Sequence, residues 1–557
     1  MTLDHRESSV ECLTEQLLHA LKAYGARAVF GIPGDYALPM FGVIESSNIL
    51  PLYTLSHEPA VAFAADAAVR VAGGIGVAAT TYGAGALNLI NGVAAAYAER
   101  SPVAVISAAP ARSNPWPTLS RHHQVRRLDS QLNIFREVTC AQAVLDESTT
   151  APRLIADTIE ECISQSLPVY FEIPSDMAMQ PCAQIAPRAS KQSDSDAVAE
   201  CAAEIAAVVR SAKRPVVMIG VEVRRFGLEA EAADLARSVN IPVVTSFMGR
   251  GVAATHSINS IGCYLGLAGD PEIAKLVEES DALILLGVIV CDTNLGLPAH
   301  RLDLRRVVHA FGGKVRIAHH SYSDIALKDL VRALFKHAPA SVSETKSTTS
   351  RSSKSMARPD FVADDGDVRP SDIARAINEL FSNHSVLPVA CDMGDSLFVS
   401  LEINHADLVA QAYYASMGFA VPAAFGIQAV TGLRPLVLLG DGAFQMTGWE
   451  LGNCQRYGFD PIVVVLNNRG WEMLRAFAPQ YRFNNLSDWH FAELARSIGG
   501  NGVRVRSRRE LSRALEAAWS NRGAFQLIEV VLDRGVTSDT LSRFVRALSA
   551  RGTEYQC

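Results

Sequence analysis

Short apolar runs bounded by glycine-rich or polar turns alternate along nearly the whole chain with stretches whose apolar positions recur at helical spacing. Residues 10–24 carry Leu13, Leu17, Leu18 and Leu21 on one face, which predicts an amphipathic helix. A run at Ala28-Val29-Phe30 enters Gly31-Ile32-Pro33-Gly34-Asp35, and a second, Leu52 to Leu55, enters Ser56-His57-Glu58-Pro59. Proline suits the first turn of a helix, so Glu58 falls at a strand-to-helix corner. The alternation continues through AVAFAADAAVRVAGG and GVAATTYGAGALNLINGVAAAYAERSPVAVIS to PVYFEIPSD, closing an α/β domain over 1–180. Residues 181–196 read as a polar linker. A second domain, 199–340, has apolar runs at Pro215–Ile219, Pro242–Thr245, Ala282–Leu286 and Val315–Ile317. Residues 341–369, rich in Ser, Thr and Lys, predict a mobile linker before a third domain at 370–545. Strand and helix alternating in each third predict three doubly wound α/β domains with parallel sheets.

Composition narrows the class without naming the chemistry. The 557 residues suffice for about three domains, and 49% hydrophobic with 20% charged residues describes a globular chain with ample core. A net charge of −7 argues against non-specific nucleic-acid binding. The start, MTLDHRESSVECL, is too charged for a signal peptide, and no apolar run reaches the roughly 18 residues a membrane span needs. Ten cysteines lack CxxC spacing, so reduced thiols and a cytoplasmic location are expected.

The most informative stretch is 436–470, LVLLGDGAFQMTGWELGNCQRYGFDPIVVVLNNRG. Leu436–Leu439 predicts a buried strand ending at Gly440-Asp441-Gly442. A helical pattern follows with Phe444, Trp449 and Leu451, then a breaker at Gly458 and Pro461, and a second buried strand, Ile462–Leu466, ends at Asn467-Asn468. In such a βαβ unit both carboxyl ends lie on one edge of the sheet, where open α/β sheets bind ligands. Glycines allow the backbone to approach a phosphate, and the helix start offers free N–H groups. Asp441 and Asn468 add two hard oxygen ligands of the kind Mg²⁺ takes beside phosphates. A lone GDG is usually only a turn; the 24 residues before Asn-Asn, in the right element order, set this one apart.

VFGIPGDYALP, SHEPAVAFAADAAVR and GDG followed by NN together resemble the thiamine diphosphate (ThDP)-dependent 2-oxo acid decarboxylases over nearly the whole chain. The likeness is closest to the bacterial phenylpyruvate and indolepyruvate decarboxylases, over GDGAFQMTGWELGNC and WEMLRAF. It implies a first domain for the aminopyrimidine, a third for the diphosphate, and active sites shared between subunits of a dimer, with homotetramers usual. By this resemblance Asp441, Asn468 and the Gly470 carbonyl hold Mg²⁺, beside Gly440, Gly442 and Ala443. Glu58 bonds the pyrimidine ring nitrogen, stabilising the tautomer that deprotonates the thiazolium carbon. Met417 props the cofactor in a bent shape, the Ala415 carbonyl accepts its amine, and Met393 faces the pyrimidine. Asp35, His122 and His123 form the proton-moving set. Without the family, the methionines read as core and the paired histidines as a solvated loop.

The family's usual Glu on the helix after NN is missing, with Leu474 in its place. Glu472, two residues away, points about 200° around the helix and is expected to face elsewhere. Trp471, Met473 and Leu474 then make an apolar pocket suited to an aryl 2-oxo acid. Asp292, where Ala282–Leu286 gives way to Asp-Thr-Asn, is a candidate for the missing acid, with a turn cap as its alternative. The implied reaction is decarboxylation of phenylpyruvate or indole-3-pyruvate to the aldehyde. A carboligase of the acetolactate synthase kind and a catalytically dead relative are the competing readings; the second predicts loss of Glu58 or Asp441, and both are present.

Overall fold

The computed structural model describes residues 11–113, 119–188, 191–239, 241–255, 260–295, 302–336, 360–404 and 407–549. The first sheet contains β1 (Val29–Gly31), β2 (Leu52–Thr54), β3 (Gly76–Thr80), β4 (Val103–Ala109), β5 (Ala141–Val144) and β6 (Val169–Pro174). Its order is β2-β1-β3-β4-β6-β5, with every pairing parallel. β3, β4 and β6 are buried throughout, which is why they read as continuous apolar runs rather than alternating ones. Helix Glu58–Ala72 packs against helix Ala84–Ala98 through small residues, and a Cβ on Gly92 would lie 3.2 Å from the Pro59 carbonyl. In the expected linker, Pro181 bridges Cys12, and 189–190 lie outside the described residues.

The middle sheet departs from the all-parallel expectation. β7 (Pro215–Ile219), β8 (Val243–Thr245), β9 (Ser260–Cys263), β10 (Ala282–Leu286) and β11 (Val308–Phe311) are parallel. β12 (Lys314–Ile317) and β13 (His320–Ser323) then run antiparallel at one edge, in the order β13-β12-β11-β10-β7-β8-β9. Gly312 and Gly313 explain the reversal. Their φ of 60° and 74° form the tight turn that matches strand twist, a geometry open to glycine. The buried Glu222 carboxylate also accepts the Gly312 N–H at 3.1 Å.

The third sheet has β14 (Val389–Cys391), β15 (Leu408–Ala410), β16 (Leu436–Gly440), β17 (Ile462–Asn467), β18 (Asn501–Val505) and β19 (Gln526–Val531). All its pairings are parallel, in the order β15-β14-β16-β17-β19-β18. The helix expected after Gly442 is three short pieces, Asp441–Thr447, a 3₁₀ stretch Gly448–Asn453, and Cys454–Tyr457. Phe444 lies over Gly448 so closely that a Cβ there would meet its ring, so the chain bends at a glycine.

Residues 341–359 of the second expected linker lie outside the described residues. Residues 360–369 run along the third domain: Val368 is buried in its core, and Asp364 and Asp365 pair with Arg508 and Arg509 at 2.6 and 2.7 Å. The domain is closed by its C-terminal helix, Asp539–Ser549, which meets its first helix, Pro370–Asn383. The Asp539 N–H donates to Ser371 Oγ at 2.9 Å, and Arg375 pairs with Asp539 at 3.3 Å. The middle and third sheets lie in one compact unit. Arg224 grips Asp407 through two bonds of 2.5 and 3.0 Å, and the Arg250 guanidinium donates to the Ser400 and Ile403 carbonyls.

Candidate active site

Parallel pairing of β16 with β17 sets Gly440 beside Leu466, so Asp441 and Asn467-Asn468 emerge side by side from the sheet edge. Asp441 opens helix Asp441–Thr447 and is 2% exposed. Its two oxygens accept the Gly442 N–H at 2.8 Å and the Gly470 N–H at 3.0 Å. Burial nevertheless pushes its carboxyl up to about 7, with those amides opposing and the Glu472 charge adding to the rise. The two asparagines divide their work. Asn467 Nδ2 is spent on Glu529 at 2.6 Å and Asp488 at 3.1 Å, whereas Asn468 Oδ1 is buried with no partner. A buried carboxylate short of positive charge, beside an unpartnered amide oxygen, is a donor set that fits a divalent cation. Gly440 and Ala443 flank it, and a Cβ on Gly442 would lie 2.6 Å from Trp471 Nε1, so only glycine keeps that approach open.

Two neighbouring strand ends carry the remaining residues expected in this domain. Met393 follows β14 and is half-buried. Ala415 and Met417 follow β15, also half-buried, and Ala415 holds φ 61°, a left-handed conformation that costs a Cβ-bearing residue about 1–2 kcal/mol. Between these loops lies Asp392, a residue the sequence reading missed. It is fully buried, and accepts the N–H groups of Met393 at 2.9 Å, Gly418 at 3.0 Å and Ala420 at 2.8 Å.

The helix after Asn-Asn is Glu472–Phe477. Trp471, the N-cap, and Leu474 are 37% and 45% exposed, and Met473 is half-buried against the domain core. Glu472 is buried, accepting the Gly535 N–H at 2.7 Å and Arg475 Nε at 3.1 Å. Asp292 opens a short helix, Asp292–Leu295, and is exposed. Its Oδ1 accepts the Thr293 N–H at 2.7 Å and hydroxyl at 3.3 Å, the turn-cap arrangement. No bond joins it to helix Glu472–Phe477 among the described residues.

In the first domain Glu58 is the first residue of its helix, half-buried, and accepts Asn88 Nδ2 at 2.7 Å. The buried atoms His57 Nδ1, Thr80 Oγ1 and Thr81 Oγ1 have no partner. The structure brings Asp35, His122 and His123 together, with ligand atoms within 4.8 Å of one another. His122 Nε2 bonds Asp35 Oδ2, and His122 Nδ1 meets the Tyr36 hydroxyl at 2.9 Å. The slight burial of Asp35 would raise its carboxyl, but the His122 bond, the Tyr36 amide and both histidine charges hold it below the usual carboxylate range. Among the described residues no bond joins Glu58 to this cluster. Beneath it, Gln131 accepts the Gly83 N–H at 2.6 Å and donates to Ser107 at 2.9 Å and Tyr170 at 2.5 Å; Tyr170 donates to buried Glu172 at 2.9 Å. No motif signals Gln131, whose partners lie 24 to 48 residues away.

Three families match successive parts of the chain. Residues 12–131 match the thiamine pyrophosphate enzyme N-terminal TPP binding domain, 202–335 the central domain, and 392–530 the C-terminal TPP binding domain. The chain is 52% identical to an indole-3-pyruvate decarboxylase of Azospirillum brasilense, over 96% of this chain and 98% of that protein. It is 28% identical to an alpha-keto-acid decarboxylase of Mycobacterium avium, over 97% of each, and 28% identical to a probable pyruvate decarboxylase of Schizosaccharomyces pombe, over 96% of each. The βαβ cradle at Asp441 and Asn468, the three domain matches and the full-length likeness agree: this chain belongs to the thiamine diphosphate-dependent 2-oxo acid decarboxylases.

Proposed function

We propose that this protein catalyses the non-oxidative decarboxylation of an aryl 2-oxo acid, phenylpyruvate or indole-3-pyruvate, to the aryl acetaldehyde and carbon dioxide, with thiamine diphosphate and Mg²⁺. The observation that carries the reading is the 52% identity, end to end, to an indole-3-pyruvate decarboxylase. The exposed apolar pair Trp471 and Leu474, the second at the position where the family resemblance implies an acid, supports the aryl preference. The carboligase reading has no comparable support.

When bound, thiamine diphosphate supplies the electron sink for breaking the bond to the departing carboxylate. Asp441, Asn468 and the Gly470 carbonyl would hold the cation and, through it, the diphosphate, with Gly440, Gly442 and Ala443 allowing close approach. Asn468 Oδ1, buried and unpartnered, is what makes this set fit. Ala415 and Met417 shape the floor for the cofactor, with Met393 beside them. Glu58, oriented by Asn88, holds a proton at the pyrimidine nitrogen. Asp35, His122 and His123 hand protons to and from the substrate, each such group contributing about 10²- to 10⁴-fold. Asp292 is the candidate for the acid absent at Leu474: Thr293 occupies only its Oδ1.

We further infer a homodimer with shared active sites, built into a homotetramer in the cytoplasm. Large exposed apolar side chains on the third domain, such as Tyr481, Phe483 and Trp489, support an interface there. No helix among the described residues is long and apolar enough to cross a membrane, and the described cysteines are free thiols. The test of the activity is aldehyde formation from a panel of 2-oxo acids with purified protein, thiamine diphosphate and Mg²⁺. Burying an aromatic ring is worth roughly 1.5–3 kcal/mol, so the specificity constant for an aryl substrate should exceed that for pyruvate by about tenfold or more. A higher constant for pyruvate would refute the aryl reading.

A further inference from the structure

Helix Ala420–Thr431 begins immediately after the loop that carries Ala415 and Met417, and its own N-terminus is uncapped from within. Its N-cap residue is Phe419, which has no side-chain oxygen to offer the first turn. The first turn of a helix leaves N–H groups without intrahelical partners, and buried ones require an acceptor. Asp392 supplies it from just after β14: its carboxylate takes Gly418 N–H at 3.0 Å on Oδ1 and Ala420 N–H at 2.8 Å on Oδ2, and the same Oδ1 takes Met393 N–H at 2.9 Å.

The position of that carboxylate is fixed on the other side. The Asp392 N–H donates to the Leu438 carbonyl at 2.9 Å, so its backbone is tied to β16 two residues before Gly440. The loop is held a second time by Thr447, whose hydroxyl donates to the Gly418 carbonyl at 2.8 Å from the end of helix Asp441–Thr447. Gly418 has φ 84° and Ala415 φ 61°, so two left-handed residues within one short loop must be held by their surroundings.

We propose that Asp392 is a positioning residue for catalysis: it locks the Ala415–Gly418 loop onto the Met393 turn and the Asp441 strand, and thereby fixes where the Ala415 carbonyl and Met417 meet the cofactor. This rests on the proposed use of those two residues. A carboxylate suits the task better than an amide, because both of its oxygens accept. In Asp392→Asn one oxygen becomes an NH₂ group facing either the Gly418 or the Ala420 N–H, donor against donor, with shape and volume kept.

The experiment compares wild type, Asp392→Asn and Thr447→Val as holoenzymes at saturating thiamine diphosphate and Mg²⁺. It reads hydrogen–deuterium exchange at the thiazolium carbon of bound cofactor, cofactor Kd and melting temperature. Asp392→Asn should slow exchange at least about tenfold at full cofactor occupancy, with Thr447→Val slowing it in the same direction by less. Exchange at the wild-type rate in saturated Asp392→Asn, whatever its melting temperature, would leave Asp392 a structural cap and overturn the proposal. If Asp392→Asn does not fold, Thr447→Val decides alone, and unchanged exchange there overturns it equally. Failure of the wild type to bind thiamine diphosphate is a different result, which sinks the functional reading itself.

Discussion

The first and third sheets have the same topology. Numbered within its own domain, each runs 2-1-3-4-6-5, and each places candidate site residues after its first two strands: Asp35 and Glu58 in one, Met393 and Met417 in the other. What differs is the solvent. Asp35 and His122 have side chains 52% and 57% exposed, whereas Asp392, Asp441 and Asn468 are all buried. The same strand-end crevice has therefore been turned to two tasks. On the roles proposed, the first domain uses it for groups that exchange protons, which need access. In the third it holds fixed charge and fixed backbone, which gain from a dry setting, where electrostatic interactions are stronger.

The largest expected effect breaks the dry half. Asp441→Ala removes the only charged side chain in the cation set, and should abolish retention of thiamine diphosphate after gel filtration. Full activity and retained cofactor would end the cradle assignment. Next comes the wet half: Glu58→Gln keeps a hydrogen bond but no shared proton. Cofactor should stay bound while thiazolium proton exchange slows by about 10² or more. An unchanged exchange rate removes Glu58 from the chemistry.

A smaller effect sharpens the division between the two halves. Asp292→Asn should slow either carbon dioxide release or aldehyde release in a single turnover by at least about tenfold, with cofactor affinity and melting temperature unchanged. Normal kinetics would leave Asp292 as the cap of its turn.

The smallest effect is one of stability. Burial pushes the Asp395 carboxyl up to about 7, against the bonds it accepts from the Ser538 N–H and hydroxyl. A carboxyl with a folded pKa above its unfolded value of roughly 4 binds more protons folded than unfolded. It therefore subtracts stability progressively as pH rises from about 4 to about 7. Asp395→Asn should lessen the fall in melting temperature across that window, and an unaltered pH slope would contradict the assignment.

How much of this could be read from the chain depends on the distance over which each feature is determined. Asp441 and Asn468 were legible because apolar runs mark the strands and the polar residues stop them. The parallel sheets were legible for the same reason. The edge hairpin of the middle domain was missed although Gly312-Gly313 announces it locally, since the run at Val315–Ile317 looks like any other strand. Asp392 could not be assigned at all, because its partners at Gly418 and Ala420 lie 26 and 28 residues downstream and are backbone amides, which leave no mark in a sequence.

The closure of the third domain by its last helix has a consequence for how the protein is made. The first sheet is complete once residue 174 has left the ribosome. The third domain is not closed even at its last strand, because Ser371 and Asp395 wait for Asp539 and Ser538, some 168 and 143 residues later. Contacts between such distant residues form slowly, and unpaired strands invite association while they wait. Synthesis thus releases a finished first domain tethered to an open third one. Truncation before Ser538, which removes both closing contacts, should cost solubility in the third domain and leave the first intact.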